Sequence, residues 1–127
     1  MKTLALTAAL LLVGVAHAQK AKGALDGKTF AVETAEKGKD KGEKDSVVFK
    51  DGKFRSAGCD QYGFADAPYT TTKAGDATKF EAETTSAKEG KIKWTGTVKG
   101  DAIEGSYVWT KPGQKAIEYW FKSAVKK

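Results

Sequence analysis

Hydrophobic and polar positions alternate with period two through residues 90–121. Ile92, Trp94, Gly96 and Val98 fall on one face of a first run, and Lys91, Lys93, Thr95, Thr97 and Lys99 on the other. Ile103, Gly105, Tyr107 and Trp109 share a face in a second run, and Ile117, Tyr119 and Phe121 in a third. Successive side chains of a strand point to opposite faces, so this pattern predicts half-buried strands. Lys99-Gly-Asp and Lys111-Pro-Gly-Gln separate the runs with residues suited to tight turns. The expected unit is a three-stranded antiparallel meander with one aromatic face.

Upstream, the same rule predicts a strand over residues 28–35, with Phe30, Val32 and Thr34 on one face. A second covers residues 46–50, with Val47 and Phe49 inward, and a third residues 53–58, with Phe54 and Ser56 inward. Asp51-Gly52 between them is a hairpin turn signal. Residues 36–45 hold no apolar side chain and read as a solvated loop. Residues 59–68 break the alternation and include Pro68, which reads as an irregular connection. Residues 69–73 form a short fourth strand, and residues 78–86 a fifth, with Phe80, Ala82 and Thr84 inward. Eight short antiparallel strands can close into an up-and-down barrel, which removes exposed edges. The expected class is therefore an all-β, eight-stranded barrel, and the alternative is a two-sheet β-sandwich.

The start of the chain changes the setting. Lys2 precedes an almost wholly apolar run over residues 4–15, and Ala16-His17-Ala18 fits a small-x-small cleavage site. The apolar run is shorter than the roughly 20 residues that span a bilayer. Residues 1–18 are thus expected to be a cleaved secretory signal, with 19–127 a single domain and 19–24 a mobile leader. The product would be secreted or periplasmic, without a transmembrane span. Cleavage removes His17, the only histidine of the 127-residue chain, and lowers the formal charge from +6 to +5 by removing Lys2. A chain without histidine has no His-based nucleophile activation and no His-ligated metal. Neither a catalytic residue nor a metal ligand nor a cofactor motif is recognised, and the chain is expected not to be an enzyme. The basic charge is nearly all lysine, Arg55 being the only arginine, and acidic residues are interspersed with it. This argues for a soluble surface rather than a nucleic-acid interface.

Leu25-Asp-Gly-Lys-Thr-Phe30 resembles the Leu-x-Gly-x-Trp entry to the first strand of calycins, the superfamily of lipocalins and fatty-acid-binding proteins, with Phe30 in place of the tryptophan and one position late. Trp94-x-Gly-x-Val-x-Gly-x-x-Ile-x-Gly105 resembles the meanders of small secreted bacterial barrels. The resemblance implies a calycin-like barrel and transfers no functional residue.

Candidate chemistry is sparse. Tyr62, Phe64 and Tyr69 flank the irregular connection and are candidates for a pocket rim. Trp94, Tyr107 and Trp109 are candidates for a ligand-binding wall, against a purely structural role in the core. Cys59, the only cysteine, is a candidate reactive thiol, with Arg55 placed to lower its pKa if the two approach; the alternative is a buried small residue. Trp120 alternates outward and is a candidate interaction surface. Glu81, Glu83, Glu104 and Glu118 alternate outward opposite lysines and read as a solvated ion-pair face, not a glycosidase pair. The expectation is a monomeric, non-enzymatic barrel that holds a small apolar or aromatic ligand. The alternative is a filled barrel that works as a structural or interaction module with an envelope protein. N-terminal sequencing of the exported chain should begin at Gln19, and recovery of His17 on that chain would defeat the cleavage assignment.

Overall fold

The structure, a computed structural model, describes residues 23–123; the expected signal, most of the leader and the last four residues lie outside them. Eight strands run β1 Thr29–Glu36, β2 Glu43–Lys50, β3 Lys53–Ser56, β4 Ala67–Ala74, β5 Ala77–Ser86, β6 Gly90–Lys99, β7 Ala102–Lys111 and β8 Gln114–Ser123. Each pairs antiparallel with the next, and β1 pairs with β8 to close the barrel. Closure excludes the two-sheet sandwich. Three expected boundaries change, the fourth strand starting at Ala67 with Pro68 inside the ladder. The second strand begins at Glu43, because Glu43, Lys44 and Asp45 pair with Thr34, Glu33 and Val32. Alternation thus carries polar residues into the ladder without an apolar one to mark them. The third strand stops at Ser56, where a 3₁₀ segment, Ala57–Tyr62, takes over.

Every residue expected inward on an apolar count is buried or half-buried, with Phe49, Phe54, Val47, Trp94 and Tyr69 among the least exposed. The rings form one connected column. Phe49 sits at its base, 4.8 Å from Tyr69, 5.1 Å from Phe80 and 5.3 Å from Phe54 between ring centres. Phe54 reaches Trp94 at 4.8 Å, and Trp94 stacks on Tyr107 at 4.1 Å. Such pairs add about 0.5–1.5 kcal/mol beyond the area they bury. An eight-stranded barrel has little spare width. The space for these rings comes from Gly96 and Gly105, which face each other across β6 and β7. A Cβ on Gly96 would lie 2.6 Å from the Phe80 ring, and one on Gly105 would lie 3.0 Å from the Phe121 ring.

The two ends of the barrel differ. At the lower end Leu25 is inserted as a plug, and the buried Tyr69 hydroxyl accepts the Leu25 amide at 2.8 Å and donates to Asp26 Oδ1 at 2.8 Å. The same Asp26 carboxylate accepts the Gly52 amide of the β2–β3 hairpin. That hairpin turns through Asp51 and Gly52, both at positive φ, the geometry that twists two strands together. At the upper end β3 and β4 share only two register pairs, Lys53–Pro68 and Phe54–Ala67. The wall parts there, and the 3₁₀ segment fills the gap.

Burial, reinforced by the bond to Asp26, pushes the Tyr69 hydroxyl from 10.0 up to about 12. An unfolded tyrosine ionises first, so this contribution to stability is complete below pH 10 and is lost as pH rises through about 12. Urea unfolding from neutral pH upward should show that alkaline decline. Tyr69→Phe should flatten part of it and cost about 1–3 kcal/mol at neutral pH, because the Leu25 amide is left without a partner.

Candidate functional site

The upper end of the barrel holds a cavity of about 360 Å³. Its floor is Tyr107, the last ring of the buried column, with Ile92 beside it. Tyr119 stacks on Tyr107 at 4.7 Å with the planes 9° apart, so the run from Trp94 through Tyr107 to Tyr119 leads the core into the cavity. Trp109 forms another wall, fixed by its indole N–H donating to the Glu89 carbonyl at 2.6 Å. Cys59, Tyr62 and Phe64 come from the β3–β4 connection. Phe64 is buried, whereas Tyr62 is 53% exposed and is the only large hydrophobic side chain so exposed among the described residues.

Asp45 sets the connection in place. Its carboxylate accepts the Ser46 amide, the Ser56 hydroxyl and the Gly58 amide, at 2.6, 2.5 and 2.7 Å. The first turn of the 3₁₀ segment thus has its amide satisfied from a neighbouring strand instead of by its own N-cap residue Ser56, which makes no side-chain cap bond. Gly58 has no room for a side chain, since a Cβ would lie 2.9 Å from Asp45 Oδ1. On the neighbouring strand β1, Thr34 Oγ1 lies 2.7 Å from the Tyr107 hydroxyl, and Thr34 donates to the Trp120 carbonyl at 2.9 Å. Tyr107 therefore donates to Thr34. Burial raises its pKa far above the ordinary tyrosine value, and burial raises that of Tyr119 as well. Both hydroxyls are neutral at physiological pH.

Of the residues expected to bind a ligand, Tyr62, Phe64, Tyr107 and Trp109 meet at this cavity. Tyr69 does not. Its inward side chain lies at the opposite end and holds Leu25 and Asp26. Trp94 is fully buried one ring below the cavity and supports Tyr107 from beneath. The expected pairing of Arg55 with Cys59 is also absent. The guanidinium forks onto Asp60 with contacts of 2.8–3.1 Å, which raise its own pKa. Cys59 is half-buried against the core, and burial pushes its thiol pKa up; the Ser56 hydrogen bond works against this, and Asp45 and Asp60 add to it. The thiol is thus held protonated, the opposite of an activated nucleophile.

Trp120 does alternate outward, but it is half-buried. Residues 37–42 fold onto it, its indole N–H donates to the Lys39 carbonyl at 2.9 Å, and the Lys122 ammonium lies 5.4 Å from its ring centre. The same loop covers Ala35, which explains a buried residue on the outer face. Glu81, Glu83, Glu104 and Glu118 are exposed on the outer wall, with Glu83 near Lys91 and Glu118 near Lys37. Glu43, Asp45, Glu89, Thr34 and Tyr119 line the cavity without having been singled out as site residues. The parity of Val47 and Phe49, extended backwards, puts Glu43 and Asp45 inward and was the available signal.

Together these features define an eight-stranded antiparallel up-and-down barrel with a filled lower half and an aromatic cup at its upper end. No family model, curated protein or solved structure matches the chain.

Iodoacetamide should label Cys59 slowly in the native protein, faster as pH rises and faster again on unfolding. Native labelling as rapid as that of the unfolded chain would contradict the protonated, half-buried thiol.

Proposed function

We propose that this barrel is a non-enzymatic binding protein whose upper cup receives a small apolar or aromatic ligand. One observation carries the reading: the stacked run of Trp94, Tyr107 and Tyr119 ends at a cavity, so the last ring offers a face to a further planar group. The other walls, Trp109, Ile92 and Phe64, are apolar or aromatic, and each is held by the barrel rather than by the ligand. A preformed wall loses little freedom on binding. At about 360 Å³ the cup lies near the small end of the range for ligand pockets. The guest would be a compact molecule, not a long acyl chain, because the column below Tyr107 fills the barrel. An open barrel end that admits a ligand also accords with the calycin resemblance of the Leu25 and Trp94 motifs. The amino-terminal pattern favours a secreted or periplasmic setting, where the protein would act as a carrier or scavenger.

The test is titration with N-phenyl-1-naphthylamine, a neutral aromatic probe whose emission rises in apolar sites. Saturable binding is expected, and Tyr119→Ala should weaken it roughly tenfold through loss of a stacking face. Failure of neutral, cationic and anionic aromatic probes alike to bind would sink the reading and favour a filled barrel acting through its outer surface.

A further inference from the structure

From the charges around the cup we infer that its ligand is a cation, a compact aromatic or alkyl ammonium or amidinium compound, received between the Tyr119 face and the carboxylates of Glu43 and Asp45. The inference rests on the binding reading above and adds the sign of the guest. The protein as a whole is basic, with a formal charge of +6, yet the inner face of the mouth has the opposite sign. Glu43 and Asp45 occupy inward positions at the start of β2 and line the cavity, as does Glu89. Glu89 is neutralised by the Lys111 ammonium at 3.0 Å. Among the described residues, Glu43 and Asp45 have no ion-pair partner.

The nearby cations are turned away or engaged elsewhere. Lys44 pairs with Glu33 at a position of opposite parity to Glu43 and Asp45, although it borders the cavity. Lys37 lies on Glu118, Lys39 on Glu36, and Arg55 on Asp60. Among the described residues lining the cavity, Lys44 is the one lysine or arginine, set against the carboxylates of Glu43, Asp45 and Glu89, so acid outnumbers base where a guest would sit. The remaining polar groups facing the cup, the Tyr107 and Tyr119 hydroxyls and the Cys59 thiol, are neutral, and the acidic groups Asp45 and Glu36 are among those that keep them so. Asp45 accepts three hydrogen bonds from the protein, and its side chain stands beside the cavity. A cation is also the guest that aromatic faces favour, since the ring quadrupole attracts it and an anion is repelled. Electrostatic and aromatic preferences thus agree on one ligand class. The lysine-rich exterior repels a small cation at long range but is screened within about 8–10 Å at physiological salt, whereas a partly buried carboxylate is screened much less.

The experiment compares three probes by calorimetry on the full mature chain: cationic thioflavin T, neutral N-phenyl-1-naphthylamine and anionic 8-anilinonaphthalene-1-sulfonate. The cation should bind tightest and the anion weakest, with roughly tenfold or more between them. Glu43 is exposed and its side chain makes no hydrogen bond or ion pair among the described residues, so Glu43→Gln serves as the test variant. It should weaken thioflavin T about two- to fivefold, the weight of one partly exposed charge, and leave the neutral probe unchanged. Added salt should weaken the cation alone. Trp120→Ala should change none of the three, which separates the cup from the outer wall. If the neutral probe binds and the cation binds no tighter, the charge assignment is overturned while the cup survives as an apolar site. If the anion binds tightest, the same assignment fails. If thioflavin T binds but ignores both Glu43→Gln and Tyr119→Ala, it sits elsewhere and the inference falls. If no probe binds, the underlying binding reading fails first.

Discussion

The width of an eight-stranded barrel is the constraint on which the rest of this structure depends. Such a barrel has room for one column of large side chains, and here the column is aromatic from Phe49 at the base to Tyr119 at the mouth. Phe49, Phe54, Phe80, Trp94 and Phe121 cannot fit unless neighbouring positions give up their volume. Gly96 and Gly105 do so, side by side, against the Phe80 and Phe121 rings. The glycines therefore serve packing as well as backbone freedom. The same crowding fills the lower half and leaves space only above Tyr107. Where the column stops, a cup begins, and its floor is a ring whose far face already touches the core.

The two ends are asymmetric for reasons of hydrogen bonding. At the lower end Tyr69 ties Leu25 and Asp26 together, and Asp26 ties in the β2–β3 hairpin, so the entry to β1 and the start of β3 are fastened. At the upper end the short β3 leaves the wall parted from β4, and one carboxylate, Asp45, organises the connection that fills the gap. A polar residue that fixes a loop at a cavity mouth also sets the cavity's charge. Asp45 thus holds the 3₁₀ segment in place and is also the group that the proposed cationic guest would face.

Charge is sorted across the wall as well as along it. Lysines dominate the outer face and glutamates stand among them, in exposed pairs worth little individually. The inner mouth carries acid. This division follows from period two, which assigns neighbouring residues to opposite solvents, so that Lys44 and Asp45 differ in sign, surroundings and role although they are adjacent in the chain. Trp120 illustrates the reverse effect. It stands on the outer face as its parity requires, yet residues 37–42 cover it through a bond from its indole to the Lys39 carbonyl.

By itself the sequence determined the strands and their facing. Phe30, Val32, Phe49, Phe54, Phe80, Ile92, Trp94, Val98, Ile103, Tyr107 and Phe121 are all inward and buried, because alternation is a local property and burial of apolar area dominates its outcome. The number of strands followed from the turns, whereas closure, which decides between barrel and sandwich, appears only in the pairing of β1 with β8. Part of the cup was legible too, since Tyr62, Phe64, Tyr107 and Trp109 were evident as aromatic residues near a break or on an inward face. Only the tertiary structure decided which end each occupied. Tyr69 and Tyr107 look alike in the chain, but one seals the floor and the other forms the base of the cup, a difference set by strand direction and register. Glu43 and Asp45 lay in a stretch with no apolar residue to reveal its pairing, so their inward facing appears only when β2 is seen against β1. The separation of Arg55 from Cys59 has the same origin. Four residues apart in a strand would have shared a face, but the chain leaves the sheet at Ser56, and the 3₁₀ turn gives the guanidinium to Asp60 and the thiol to the cup.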